Sequence, residues 1–154
     1  MLSALGFEAR GVDVSPDCIA QVHLNYPHVK AEVDSAYEDL SAKYGRFPLV
    51  LSLDVIEHCF DPGAFARTFR NLIEPGGIGF LSTPFHGYWK NLAMAVTGTM
   101  QEYYMSQVLG GHIKFFSEET FRHLLEGAGF KSIVLSRMGR IRPLAKSLVA
   151  IVKC

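Results

Sequence analysis

The chain has almost no net charge, little cysteine and no long hydrophobic run. Its 154 residues carry 15 Lys and Arg against 15 Asp and Glu. That balance gives no electrostatic pull toward a polyanion, so nucleic acid is not an expected partner. The three cysteines, Cys18, Cys59 and Cys154, lie far apart without metal-ligand spacing. Reduced thiols in a cytoplasmic protein are the expectation. Met1–Phe7 has no basic leader and no long apolar core, so no signal peptide is expected. Leu92–Val96, the most apolar part of a later aromatic stretch, is too short to span a bilayer. What is present suffices for one domain. A chain of about 150 residues buries roughly two-thirds of its unfolded surface, and 11 Phe with 6 Tyr suit a packed core with a pocket.

One stretch, Leu49 to Thr83, organises the rest. Leu49–Leu53 is a short apolar run that reads as a buried strand. A turn bearing Asp54, Glu57 and His58 follows. From Phe60 to Ile73 the apolar residues Phe65, Phe69, Leu72 and Ile73 recur at helical spacing. Pro75-Gly76-Gly77 stops that helix, and Ile78–Leu81 reads as a second strand. A strand–helix–strand unit predicts parallel strands with a right-handed crossover. Ligands bind past the carboxyl ends of such strands.

Before this unit, Met1–Gly6 reads as the end of a helix and Ala9–Val14 as a strand. Ser15-Pro16-Asp17 starts a helix that runs to about Tyr26. Val29–Val33 is a weak strand, and Tyr37–Tyr44 has helical character. After the unit, residues 84–112 are aromatic and poorly periodic, as expected of an insert or lid. Ser117-Glu118-Glu119 caps a helix through Phe121 and Leu125. Phe130–Leu135 and Leu148–Val152 read as a final pair of strands, most simply antiparallel.

Several residues carry candidate chemistry. Asp13, at the end of a strand, could accept hydrogen bonds from both hydroxyls of a ribose; it could equally stabilise a helix start. Asp34 and Ser35 end the next strand and could reach an adenine amine, or form a plain polar turn. Asp54, Glu57 and His58 stand at i, i+3 and i+4, so a helical turn would put them on one face. With His112 folded back from Gly110–Phe116 they would make a divalent-cation site; the alternative is a capped turn with a surface histidine. Tyr88, Trp89, Lys90, Tyr103 and Tyr104 could line a substrate pocket, or simply pack the insert.

Taken together, Gly11-Val12-Asp13-Val14-Ser15, Leu51 to His58, Asp61-Pro62, Leu72 to Gly77 and Leu81-Ser82-Thr83-Pro84 resemble the class I S-adenosylmethionine-dependent methyltransferases. The similarity is strongest to the ubiquinone-biosynthesis O-methyltransferases and covers nearly the whole chain. It implies an α/β Rossmann-like sheet of strand order 3-2-1-4-5-7-6 with strand 7 antiparallel. It implies S-adenosyl-L-methionine held by Asp13, Val14, Asp34, Ser35, Leu53 and Asp54. Relatives with a Glu-x-x-Glu-His motif and a later His hold a divalent ion, so Asp54, Glu57, His58 and His112 would hold one such as Mg2+. His58 or His112 would be the catalytic base. The acceptor would be an oxygen of a small molecule or glycan precursor. The family's first strand and Gly-x-Gly-x-Gly loop have no counterpart here, so an N-terminally truncated domain with weak cofactor binding is expected. The competing expectation is a catalytically inactive module kept for binding. Strand edges left open by the missing strand would favour association.

Overall fold

The computed structural model describes residues 5–104, 107–108 and 110–154. It is a mixed α/β chain. The order is β1 (Arg10–Asp13), α1 (Pro16–Asn25), β2 (Lys30–Val33), α2 (Leu40–Tyr44), β3 (Phe47–Leu53), α3 (Pro62–Leu72), β4 (Ile73–Pro84), α4 (Tyr88–Thr97), α5 (Met100–Tyr104), α6 (Glu118–Gly127), β5 (Ser132–Met138) and β6 (Ser147–Lys153). A 3-10 turn, Ile56–His58, follows β3. The expected helix end at Met1–Gly6 lies mostly outside the described residues.

Helix starts follow their caps. The Ser15 side chain accepts from the Cys18 amide and Pro16 opens α1; Asp61 accepts from the Ala64 amide and Pro62 opens α3. Ser117 and Thr120 form a reciprocal capping box on α6. Each cap satisfies an amide that has no partner within its helix.

The strands form two sheets. β1 and β2 pair in parallel. The second sheet has the order β3-β4-β6-β5, with β3 and β4 parallel and β6 antiparallel to both of its neighbours. Among the described residues no strand joins β1 to β3, so the full seven-strand order is not formed. A slot of about 330 Å³ remains there, lined by Arg10–Val12 on one side and Phe47–Leu51 on the other.

The core lies between the four-stranded sheet and helices α3 and α6. Phe65, Phe69, Phe121, Leu125 and Phe130 pack on Leu81, Leu148, Ala150 and Val152. The opposite face is bare: Leu51 and Ile151 are exposed, as is Val134, and they share one row across the sheet. Leu49–Leu53 was expected to be buried. Leu49, Leu51 and Leu53 instead point to the uncovered side, because no helix of the described residues packs there.

A second difference concerns Pro75-Gly76-Gly77. It lies inside β4 rather than after the helix, which already ends at Leu72. The pairing jumps from Phe47 opposite Ile73 to Leu49 opposite Ile78. Gly76 absorbs the kink at φ +82°, a conformation that costs glycine nothing.

Candidate active site

The site is built at the carboxyl ends of β3 and β4. β3 ends at Leu53, and Asp54 turns the chain at φ +52°. Ser82 Oγ, on β4, donates to Asp54 Oδ1 at 2.7 Å, and the Asp54 amide donates back to Ser82 Oγ at 3.1 Å. The 3-10 turn then drives Ile56 into the core and places Glu57 just beside it, with 1% of its surface exposed.

Glu57 is the centre of the arrangement. Its Oε2 accepts from the hydroxyl of buried Thr83 at 3.2 Å, while Oε1 is buried without a hydrogen-bond partner. Its carbonyl oxygen accepts from the amides of Ile113 and Lys114 at 2.9 and 3.0 Å. Those two bonds fold residues 110–116 back over the turn and set the His112 ring 4.9 Å from the His58 ring. His58 Nε2 lies 3.9 Å from Glu57 Oε1. Ligand-capable atoms of Glu57, His58 and His112 all lie within 4.8 Å of one another. Nδ1 of both histidines is buried and unpartnered. Burial pushes the Glu57 carboxyl above its ordinary value, with Asp54 adding to the push. Burial and His58 push the His112 ring down, against a smaller opposing pull from Asp54.

Three unpartnered buried atoms on a carboxylate and two imidazoles suit a divalent cation, which takes its ligands from such donors. Asp54 precedes the 3-10 turn that carries Glu57 and His58. It does not lie on the helical turn, so the expected shared face with Glu57 and His58 is not formed, and its carboxylate is bonded to Ser82.

The other expected cofactor residues are distributed over strand ends. Asp13 closes β1, and its Oδ1 accepts from the Ser15 amide at 2.8 Å. Val14 and Leu53 are exposed. Asp34 is heavily engaged: Oδ2 accepts from Lys43 Nζ at 2.6 Å and from the Tyr44 hydroxyl at 2.8 Å, and Oδ1 accepts from the Ser35 amide. Lys43 above all, with Tyr44, holds its carboxyl down at about 2. Its carboxylate therefore ties β2 to α2. Ser35 Oγ accepts from the Tyr37 amide.

The insert is more ordered than its sequence suggested, with α4 and α5 in it. Tyr88 and Trp89 point outward, 73% and 62% exposed, so neither lines a pocket here. Lys90 is buried and sits 4.9 Å from the Tyr103 ring centroid. The side chain of Tyr104 lies outside the described residues. Sequence reasoning gave no role to three residues of this region: Ser82 and Thr83, which entered only in the resemblance, and His86. All follow the apolar run of β4 toward the same strand end as the Glu57 turn, and that position was the available signal.

A family model for a methyltransferase domain matches residues 1–135. The chain belongs to that methyltransferase family. It is 34% identical over 137 residues to the ubiquinone biosynthesis O-methyltransferase of Caulobacter vibrioides, covering 82% of this chain and 52% of that protein. It is 31% identical over 138 residues to its counterpart in Cereibacter sphaeroides, covering 86% and 55%. The methyltransferase chain thus spans about half the length of the curated relatives it matches. Among solved structures, the citrinin polyketide synthase CMeT domain aligns at TM-score 0.71 and 14% identity, over 99% of this chain and 41% of that one. A SAM-dependent methyltransferase from Archaeoglobus fulgidus aligns at TM-score 0.69 and 15% identity, over 99% and 79%. These likenesses establish a Rossmann-like methyltransferase fold.

Proposed function

We propose that this methyltransferase domain transfers a methyl group from S-adenosyl-L-methionine to an oxygen of a small molecule or glycan precursor. The observation that carries the reading is the gathering of Glu57, His58 and His112 at the ends of β3 and β4, in a chain of this family. When bound, S-adenosylmethionine supplies a sulfonium methyl group, which the acceptor oxygen takes as the carbon–sulfur bond breaks and a thioether leaves.

The chain's own residues handle the proton and the geometry. An acceptor hydroxyl must lose its proton as its oxygen gains the methyl group. His112, kept neutral by burial, takes that proton on a ring nitrogen, as a group suited to transfer near neutral pH. A divalent cation held by Glu57, His58 and His112 would lower the pKa of the hydroxyl and fix its direction. In either case the largest contribution is in-line positioning. Asp13, Val14 and Leu53, at the ends of β1 and β3, would meet the cofactor. Zero net charge favours a small acceptor over nucleic acid.

The test is methyl transfer from labelled S-adenosylmethionine to a panel of phenols and of aromatic amines, with and without magnesium. Labelled ether products, lost in His112→Asn, support the reading. Labelling confined to the amines contradicts it.

A further inference from the structure

Beneath the insert lies a second polar cluster that the methyl-transfer chemistry does not use. His86, just past β4, is 8% exposed, and Lys90, in the first turn of α4, is 4% exposed. Both pack on Tyr103 of α5. The His86 ring meets it edge-on at 5.8 Å between centroids, and Lys90 Nζ is 4.9 Å from its centroid. Phe115 closes the other side of His86 at 4.8 Å.

The cluster is short of negative charge. Lys90 Nζ has a single hydrogen bond, to the Lys146 carbonyl at 3.4 Å. Among the described residues no carboxylate lies within 4 Å of it. The charge that acts on it is Arg140, of like sign. A buried ammonium with one long hydrogen bond and a cationic neighbour is costly to keep. His86 is half satisfied. Its Nδ1 lies 3.1 Å from Asn91 Oδ1, while Nε2 is buried with no partner. Because Asn91 Oδ1 is an acceptor, Nδ1 carries the proton and Nε2 presents a lone pair. The cluster thus offers one cation and one acceptor side by side. The His86 amide donates to the Phe116 carbonyl at 2.8 Å, which ties this cluster to the segment that carries His112 into the candidate active site.

We propose that Lys90 and His86 form a subsite for an acidic methyl acceptor, Lys90 pairing with its carboxylate or phosphate and His86 Nε2 accepting from a hydroxyl of the same molecule. The proposal rests on the methyl-transfer reading only for the identity of the molecule that carries the anion. Entry requires Tyr103 to swing aside, since its ring covers both side chains.

The test is a calorimetric titration of the full chain with benzoate, phenyl phosphate and benzyl alcohol. Wild type is compared with Lys90→Met and Arg140→Gln, each checked for folding by circular dichroism. Methionine fills the volume of lysine without its charge; Arg140 is exposed, so its replacement leaves the core intact if Lys90→Met fails to fold. At least one of the two anions should bind wild type, at least tenfold more weakly to Lys90→Met and a few-fold more weakly to Arg140→Gln. Comparing benzoate with phenyl phosphate tells carboxylate from phosphate. Benzyl alcohol should not distinguish the variants. Anions that bind no tighter than benzyl alcohol, or equally well to the variants that fold, overturn the proposal. S-adenosylmethionine binding, measured in parallel, separates the two claims. Lys90-dependent anion binding without cofactor binding sinks only the methyl-transfer reading. Methylation of a hydroxybenzoate with KM unchanged by Lys90→Met sinks only the subsite.

Discussion

Ser82 and Asp54 bond to each other three times across the ends of two parallel strands, once between the Asp54 amide and the Ser82 carbonyl at 3.1 Å. The serine hydroxyl donates to the carboxylate at 2.7 Å and accepts from the Asp54 amide at 3.1 Å. This pairing holds Asp54 at its positive φ and so aims the Glu57 turn. Ser82→Ala should cost about 1 kcal/mol in urea unfolding, because Asp54 is exposed and water replaces part of the loss. Methyl transfer should fall more than stability does, as the turn loses its side-chain anchor and keeps only the backbone bond from the Asp54 amide to the Ser82 carbonyl. Unchanged activity in Ser82→Ala would show that the turn is held by other means.

Glu57 should make the fold less stable as pH rises. Burial raises its folded pKa above the ordinary 4.5. Between that value and the folded one, the folded chain binds more protons than the unfolded chain, so stability falls with rising pH. Glu57→Gln keeps the Thr83 contact and removes the ionisation. The gap between the Glu57→Gln and wild-type unfolding midpoints should widen in favour of the variant as pH rises from 4.5, on top of the histidine-driven trend that both share. Parallel profiles would contradict the buried, charge-penalised carboxyl.

His86 acts in the opposite direction. Burial lowers its folded pKa below 6.5, with Lys90 and His112 adding like-charge repulsion and Asn91 opposing the shift through its hydrogen bond. As pH falls through 6.5 the unfolded chain takes up its proton first, and stability drops. His86→Gln should reduce the loss of unfolding midpoint between pH 6.5 and 5 without abolishing it, since His112 titrates in the same sense. An unchanged loss would place His86 in contact with water.

Gly79 marks tight packing behind the site. A Cβ there would lie 2.6 Å from Phe69 Cε1 and 2.7 Å from both Ile73 Cδ1 and Val152 Cγ2. Gly79→Ala should destabilise by about 1–3 kcal/mol through overpacking, read as a lower denaturation midpoint. A neutral result would mean that α3 can shift away from the sheet.

Much of the fold was legible because local chemistry announces it. Ser15-Pro16, Asp61-Pro62 and Ser117 start helices by capping free amides, and the apolar runs of β3, β4 and β6 read directly as strands. The site was legible in part. Glu57, His58 and His112 come together because residues 110–116 bond back to the Glu57 carbonyl, as the position of Gly110–Phe116 before α6 suggested. Asp54 misled, since i, i+3, i+4 spacing presumes a helix and the chain reverses at φ +52° instead. The partners of Asp34, Lys43 and Tyr44, were not legible because they are set by the packing of α2. No local pattern marks Pro75-Gly76-Gly77 as a kink within a strand, because the same residues end helices.

The slot between β1 and β3 bears on the central claim. In this fold the cofactor lies at strand ends, and strands normally pair about 4.8 Å apart; here the two edges remain open. The most direct measurement is calorimetry of S-adenosyl-L-methionine with the wild-type chain and with Asp13→Ala, each with and without magnesium. The account predicts measurable binding by wild type and weaker binding by Asp13→Ala. Failure of wild type to bind would contradict it, and the Glu57, His58 and His112 cluster would then need a purpose other than methyl transfer.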